Sequence, residues 1–90
     1  MASAIKVYQL ACTQANASQA LAADVVFITL HNVGADTVYV NFNGAATVAG
    51  GFPILAGDSI GPIGLYDCAT VQSICDTGET ATLHITAVNQ

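Results

Sequence analysis

Six carboxylates, two histidines and three cysteines are the first side chains of this 90-residue chain to weigh for acid–base, nucleophilic or metal-binding chemistry. The carboxylates are Asp24, Asp36, Asp58, Asp67, Asp76 and Glu79, each in a predicted turn or at a predicted strand end. Acids in such places hydrogen-bond local backbone and solvate loops. Asp76 and Glu79 are near enough in sequence to be weighed as a catalytic pair. Glycoside hydrolysis, however, needs two carboxylates flanking one sugar, one kept protonated by an apolar pocket. Two acids in one tight, exposed turn do not provide that.

His31 and His84 both fall on predicted outward faces of strands. With the carboxylates they are conceivable zinc ligands, but no HxH or CxxC spacing accompanies them, so they read as surface histidines. Pairing Cys12 or Cys75 with His84 as a nucleophile and its base has no support in the local sequence. Cys68 and Cys75 lie seven positions apart (68 to 75), which places them on opposite faces of one continuous strand. They pair only if the chain turns between them. The odd cysteine count favours buried thiols in a reducing compartment over a disulfide framework. Neither GxGxxG nor GxxxxGK occurs, and Asn16-Ala17-Ser18 reads as a chance glycosylation match. The expectation is a protein with no catalytic residues, no metal and no cofactor.

Composition points the same way. Hydrophobic residues make up 53 % of the chain and charged residues only 8 %, against about 25 % charged in ordinary domains. One basic and six acidic side chains must cover the exterior, which suits contact between subunits. The net charge is −5 and Lys6 is the only basic residue. Nucleic-acid affinity comes largely from Lys and Arg on phosphates, so that class of partner is excluded, as is an anionic membrane surface. The longest purely apolar run, Val25 to Ile28, is far too short for a spanning helix. The N-terminus lacks the continuous apolar stretch of a signal peptide, which predicts a chain made and used on the cytoplasmic side.

Any functional surface must be positioned by strands, because the hydrophobic period is two along most of the chain. Strands are predicted over Ile5–Cys12, Asp24–Asn32, Thr37–Asn43, Phe52–Leu55, Ser59–Tyr66, Ala69–Cys75 and Thr80–Val88, with a short extended piece at Ala46–Val48. Thr13–Ala23 reads as a loop or arm. Asp24–Asn32 and Thr37–Asn43 read as an antiparallel hairpin turned by Val33–Asp36, with Gly34 supplying positive φ and Asp36 capping the turn. Seven or eight short strands at regular spacing predict one domain over residues 1–90, a small antiparallel β-sandwich or barrel. Residues 1–23 are expected to hold a first strand and an arm. Ile5 to Leu10 fits either that strand or an extended arm adding to a neighbour's sheet. The start of Asp24–Asn32 is apolar on both faces, which predicts cover from a second subunit. Ile5, Val7, Tyr8, Leu10, Val25 and Phe27 are therefore the candidate subunit-interface residues.

From Leu30 onward the order of signals resembles the small β-sandwich structural proteins of tailed bacteriophages. The segment LHNVGADTVYVNF matches their N-x-G-x-x-x-V-Y-V-x-F element. Gly51-Phe52-Pro53-Ile54 and Gly57-Asp58-Ser59-Ile60 match a G-F-P-L-x-x-G-[ED]-[ST]-I element. Ile74-Cys75, Gly78 and Leu83–Ile85 match the closing strand. The likeness covers about two-thirds of the chain and leaves out the first 23 residues. It implies a virion role on the outer capsid surface, as a cement or decoration protein assembled in the host cytoplasm. It further implies a trimer or other symmetric oligomer bound to the major capsid protein, and it transfers no catalytic residues. A tail or fibre module that recognises a host glycan or protein is the alternative, with Tyr8, Tyr39 and Tyr66 as stacking faces.

Overall fold

Period-two alternation gives each segment one apolar face, and an apolar sheet face needs a second layer to cover it. The computed structural model describes residues 4–22, 24–65 and 70–89. The expectations resting on Tyr66, Asp67 and Cys68 lie outside them. The described strands are β1 (Ala4–Cys12), β2 (Ala17–Ala20), β3 (Val25–Asn32), β4 (Val38–Phe42), β5 (Phe52–Ile54), β6 (Ser59–Gly64), β7 (Thr70–Ile74) and β8 (Ala81–Asn89). They form two four-stranded antiparallel sheets, β1-β8-β3-β6 (sheet A) and β2-β7-β4-β5 (sheet B). The chain changes sheet after every strand except β4, the arrangement of an eight-stranded jelly roll. The all-β sandwich is thus as the alternation predicts.

The core lies between the sheets. Ile28, Leu30, Leu83 and Ile85 of sheet A meet Val38, Val40, Ile54 and Val71 of sheet B, all buried. Each such side chain stabilises the fold by about 1.5–3 kcal/mol.

Three expectations about the elements are corrected, and one left open is decided. β3 and β4 are not a hairpin, because β3 lies in sheet A and β4 in sheet B, and residues 33–37 cross between them. The stretch taken as a loop or arm contains β2, whose four residues ASQA alternate in burial but carry no large apolar side chain to signal it. Ala46–Val48 is not a strand, although Ala46 is buried and its N–H donates to Asn16 Oδ1 at 2.7 Å. Of the two readings of Ile5–Leu10, the first strand is the one observed, since β1 pairs with β8 along its whole length, Ala4 opposite Asn89 through Cys12 opposite Ala81.

The 33–37 crossover is held by one buried amide. Asn32 is fully buried at the end of β3. Its Nδ2 donates to the carbonyls of Asp36 at 2.7 Å and Ile54 at 2.9 Å, and its Oδ1 accepts the Gly34 N–H at 2.9 Å. Its own N–H donates to the Asp58 carbonyl at 3.0 Å, and its carbonyl accepts the Gly57 N–H at 2.9 Å. Gly34 is needed for close approach and not for positive φ: a Cβ there would sit 2.5 Å from Ala81 Cα. Asp36 caps β8, its Oδ2 accepting the Thr80 N–H at 3.0 Å.

Truncating Asn32 strands the part-buried Gly34 N–H and Asp36 carbonyl and the buried Ile54 carbonyl, an unmet buried group costing about 1–3 kcal/mol. Asn32→Ala is expected to lower unfolding free energy by roughly 3 kcal/mol or more in urea titrations. Asn32→Asp is expected to cost at least as much at neutral pH, because it turns a negative charge on two carbonyl oxygens. A loss under about 1 kcal/mol for either variant would contradict this role.

Candidate interaction face

Strand pairing places residues far apart in sequence side by side on the outer face of sheet A. One row runs Ile5, Val88, Phe27, Gly64. The next runs Val7, Thr86, Thr29, and the third Gln9, His84, His31, Ser59. Ala11 and Thr82 begin the fourth, where the Val33 N–H donates to the Thr82 carbonyl at 3.0 Å. Ile5, Val7 and Phe27 are 70 %, 56 % and 48 % exposed, an apolar corner built from β1 and β3 with Val88 of β8 between them. Apart from the two imidazoles the face carries no titratable side chain among the described residues. Lys6 points to the other side of β1, its Nζ 5.1 Å from the centroid of the Tyr8 ring.

Of the six interface candidates, the structure gathers Ile5, Val7 and Phe27 on this face. Tyr8 is half-buried against the core, and Leu10 and Val25 are core residues. Tyr8 and Leu10 follow from the β1 pairing, which turns its even-numbered residues inward. Val25 follows from a bulge: the register with β8 shifts between Val25 and Phe27, so alternation restarts and Val25 turns in. Val88 completes the apolar row and was missed. It continues the outward Thr82, His84, Thr86 series of β8, the signal from which it could have been found.

The outer face of sheet B differs. Ser18, Gln72 and Asn41 share a row, with Tyr39 in the next. Asn16 Nδ2 donates to Gln72 Oε1 at 2.8 Å. Tyr8 and Tyr39 therefore belong to different sheets and make no common stacking platform.

The remaining chemical candidates serve the fold. Asp76 Oδ1 accepts the Thr77 N–H at 2.7 Å and its carbonyl accepts the Glu79 N–H at 3.0 Å, so this pair closes the β7–β8 turn. Cys12 and Cys75 are free, buried thiols. Cys12 Sγ lies 3.3 Å from the Leu10 carbonyl, to which it donates, and 3.0 Å from Ser73 Oγ. It borders an open depression of about 430 Å³ walled by Ala11, Thr13, Gly34, Ala35 and Thr80–Thr82, with no imidazole or cation in that lining. His84 and the Cys12 thiol occupy opposite faces of sheet A, so they form no dyad. Burial raises the Cys12 thiol. Burial pushes Cys75 up to about 11, helped by Cys12 and by the Asp36 and Glu79 carboxylates. Both thiols are protonated at neutral pH, whereas the thiolate is the nucleophile and the metal ligand.

The raised thiol values have a stability consequence. Below the ordinary value near 9 both folded and unfolded thiols are neutral; above it the unfolded chain ionises first. Unfolding free energy is expected to fall as pH rises from about 9 to about 11, and Cys75→Ala to show a shallower decline. Identical declines for the two proteins in urea titrations would contradict this.

No protein-family model matches the chain, and no curated protein is significantly similar to it.

Proposed function

We propose that this chain is a virion structural protein: a cement or decoration protein that stabilises a phage head by packing, as a symmetric oligomer such as a trimer, on the outer capsid surface. The observation that carries this reading is the uncharged outer face of sheet A, with its Ile5–Val88–Phe27 corner, on a chain of net charge −5. Like charge does not oppose contact between copies across this face. Four strands about 4.8 Å apart and six to nine residues long span roughly 19 by 27 Å, or about 510 Å² in plan. That is somewhat below what one partner gives a specific interface, about 600–1,000 Å², so side-chain relief or the β1 edge has to add to it. β1 is also an edge strand, open to pairing with a neighbour's strand along its free side.

The sequence likeness to phage β-sandwich proteins supports the same reading. The jelly roll is compatible with it, since that architecture serves viral capsid domains, but it serves lectins too. Contact by packing needs no catalytic group, and the carboxylates and thiols with described partners are occupied in turns and core.

Exposed positions on this face accept a charge without unfolding the domain. Val7→Lys and Ile5→Lys are expected to stay within about 1 kcal/mol of wild-type stability. Both are expected to weaken attachment to capsids stripped of this protein at least tenfold in co-sedimentation. Ser18→Lys, on the outer face of sheet B, is the matched control and is expected to attach as wild type. Undiminished attachment by the two face variants would remove this face from the interface.

A further inference from the structure

His31 and His84 stand 53 positions apart in sequence (31 to 84), yet they are direct partners across the β3–β8 ladder, on the outer face of sheet A. Cross-strand partners on one face hold their Cβ atoms about 4.5–5.5 Å apart. His31 is exposed and His84 half-exposed, so both rings reach solvent. Two imidazoles on adjacent Cβ atoms can turn their nitrogens onto one point, and a metal-bound imidazole needs about 2.0–2.1 Å from nitrogen to ion. Gln9 and Ser59 flank the pair in the same row, with a neutral amide oxygen and a hydroxyl as further oxygen donors.

We infer that His31 and His84 form a two-imidazole site for a late first-row divalent ion, of the zinc, nickel or copper class. Imidazole suits these ions, and oxygen-preferring magnesium or calcium has no carboxylate in this row. No third His, Cys, Asp or Glu joins the pair among the described residues. The remaining coordination positions therefore fall to water, to Gln9 or Ser59, or to a group on whatever surface covers the face. The site lies beyond the packing role and does not depend on it, because both ligands come from one chain. It ties β3 to β8, the two central strands of sheet A.

The test uses the isolated full chain with Zn(II) or Ni(II) as the only added ligand, followed by calorimetry and by histidine proton shifts in NMR. One ion per chain is expected, with the ring protons of both histidines shifting on Zn(II) addition. His31→Gln and His84→Gln are each expected to weaken binding at least tenfold, since one imidazole cannot chelate. Zn(II) is expected to raise the thermal midpoint of the wild type and not of either variant. Because both positions face solvent, metal-free variants are expected to keep the wild-type midpoint, which separates lost ligation from lost folding. Wild-type affinity in either single variant, or one-to-one binding retained by the double variant, would place the ion elsewhere and overturn the assignment. Failure of the capsid-attachment test leaves this result untouched, and the converse holds.

Discussion

A jelly roll is limited by its crossovers. Each time the chain leaves one sheet for the other it carries backbone N–H and C=O groups over the edge of the core, where unmet polar groups are costly. Here a single buried amide serves the crossing from β3 to β4. Asn32 ends β3, bonds the start and end of the 33–37 segment, and reaches the carbonyl of Ile54 at the end of β5. Its backbone is bonded to the 57–58 turn that leads into β6. One residue thus joins two crossovers, β3 to β4 and β5 to β6, and ties them to the core from which they leave. Gly34 and Asp36 complete the device, the first by allowing backbone against backbone at Ala81, the second by capping the start of β8. Among the described residues no buried side-chain nitrogen or oxygen lacks a partner.

With the core closed from within, the two outer faces are free to differ. Sheet B presents amides that bond one another, as Asn16 does with Gln72, beside a row of Ile74, Tyr39 and Pro53. Sheet A presents aliphatic and aromatic side chains at one end and a histidine pair further along, with the single cation turned away over Tyr8. Charge is concentrated in the turns, where Asp36 and Asp76 hold backbone N–H groups. A chain with so few charges has little with which to keep an apolar face from seeking cover. The apolar corner of sheet A is what supports the proposed packing role. The thiols fit the same picture, because burial keeps them protonated and quiet at neutral pH.

The strands were legible in the sequence because alternation needs only local information. β4 and β8 follow the predicted inward and outward sets residue by residue, Val38 and Val40 in, His84 and Thr86 out. What was not legible is which strand lies beside which. Residues 33–36 look like a hairpin turn, and the same residue types serve a crossover, since Gly34 gives either positive φ or close approach. The bulge at Val25 is a pairing event with β8 and leaves no mark in its own segment. β2 is too short and too small-chained to show an apolar face. The exposed apolar face was half legible: exposed apolar residues on β1 and β3 could be picked out, but not the inward turn of Leu10 and Val25. The histidine pair was invisible, because metal-ligand spacing along a chain cannot register two residues joined only by the β3–β8 ladder.

The copy number of this chain per purified virus particle, by quantitative mass spectrometry against the major capsid protein, bears most directly on whether it works by packing on a capsid. A cement protein is expected at a ratio near one to one, set by the local symmetry of the capsid lattice. A few copies per hundred capsid subunits, or none, would contradict the cement role. The few-copy result would instead favour a tail or fibre module.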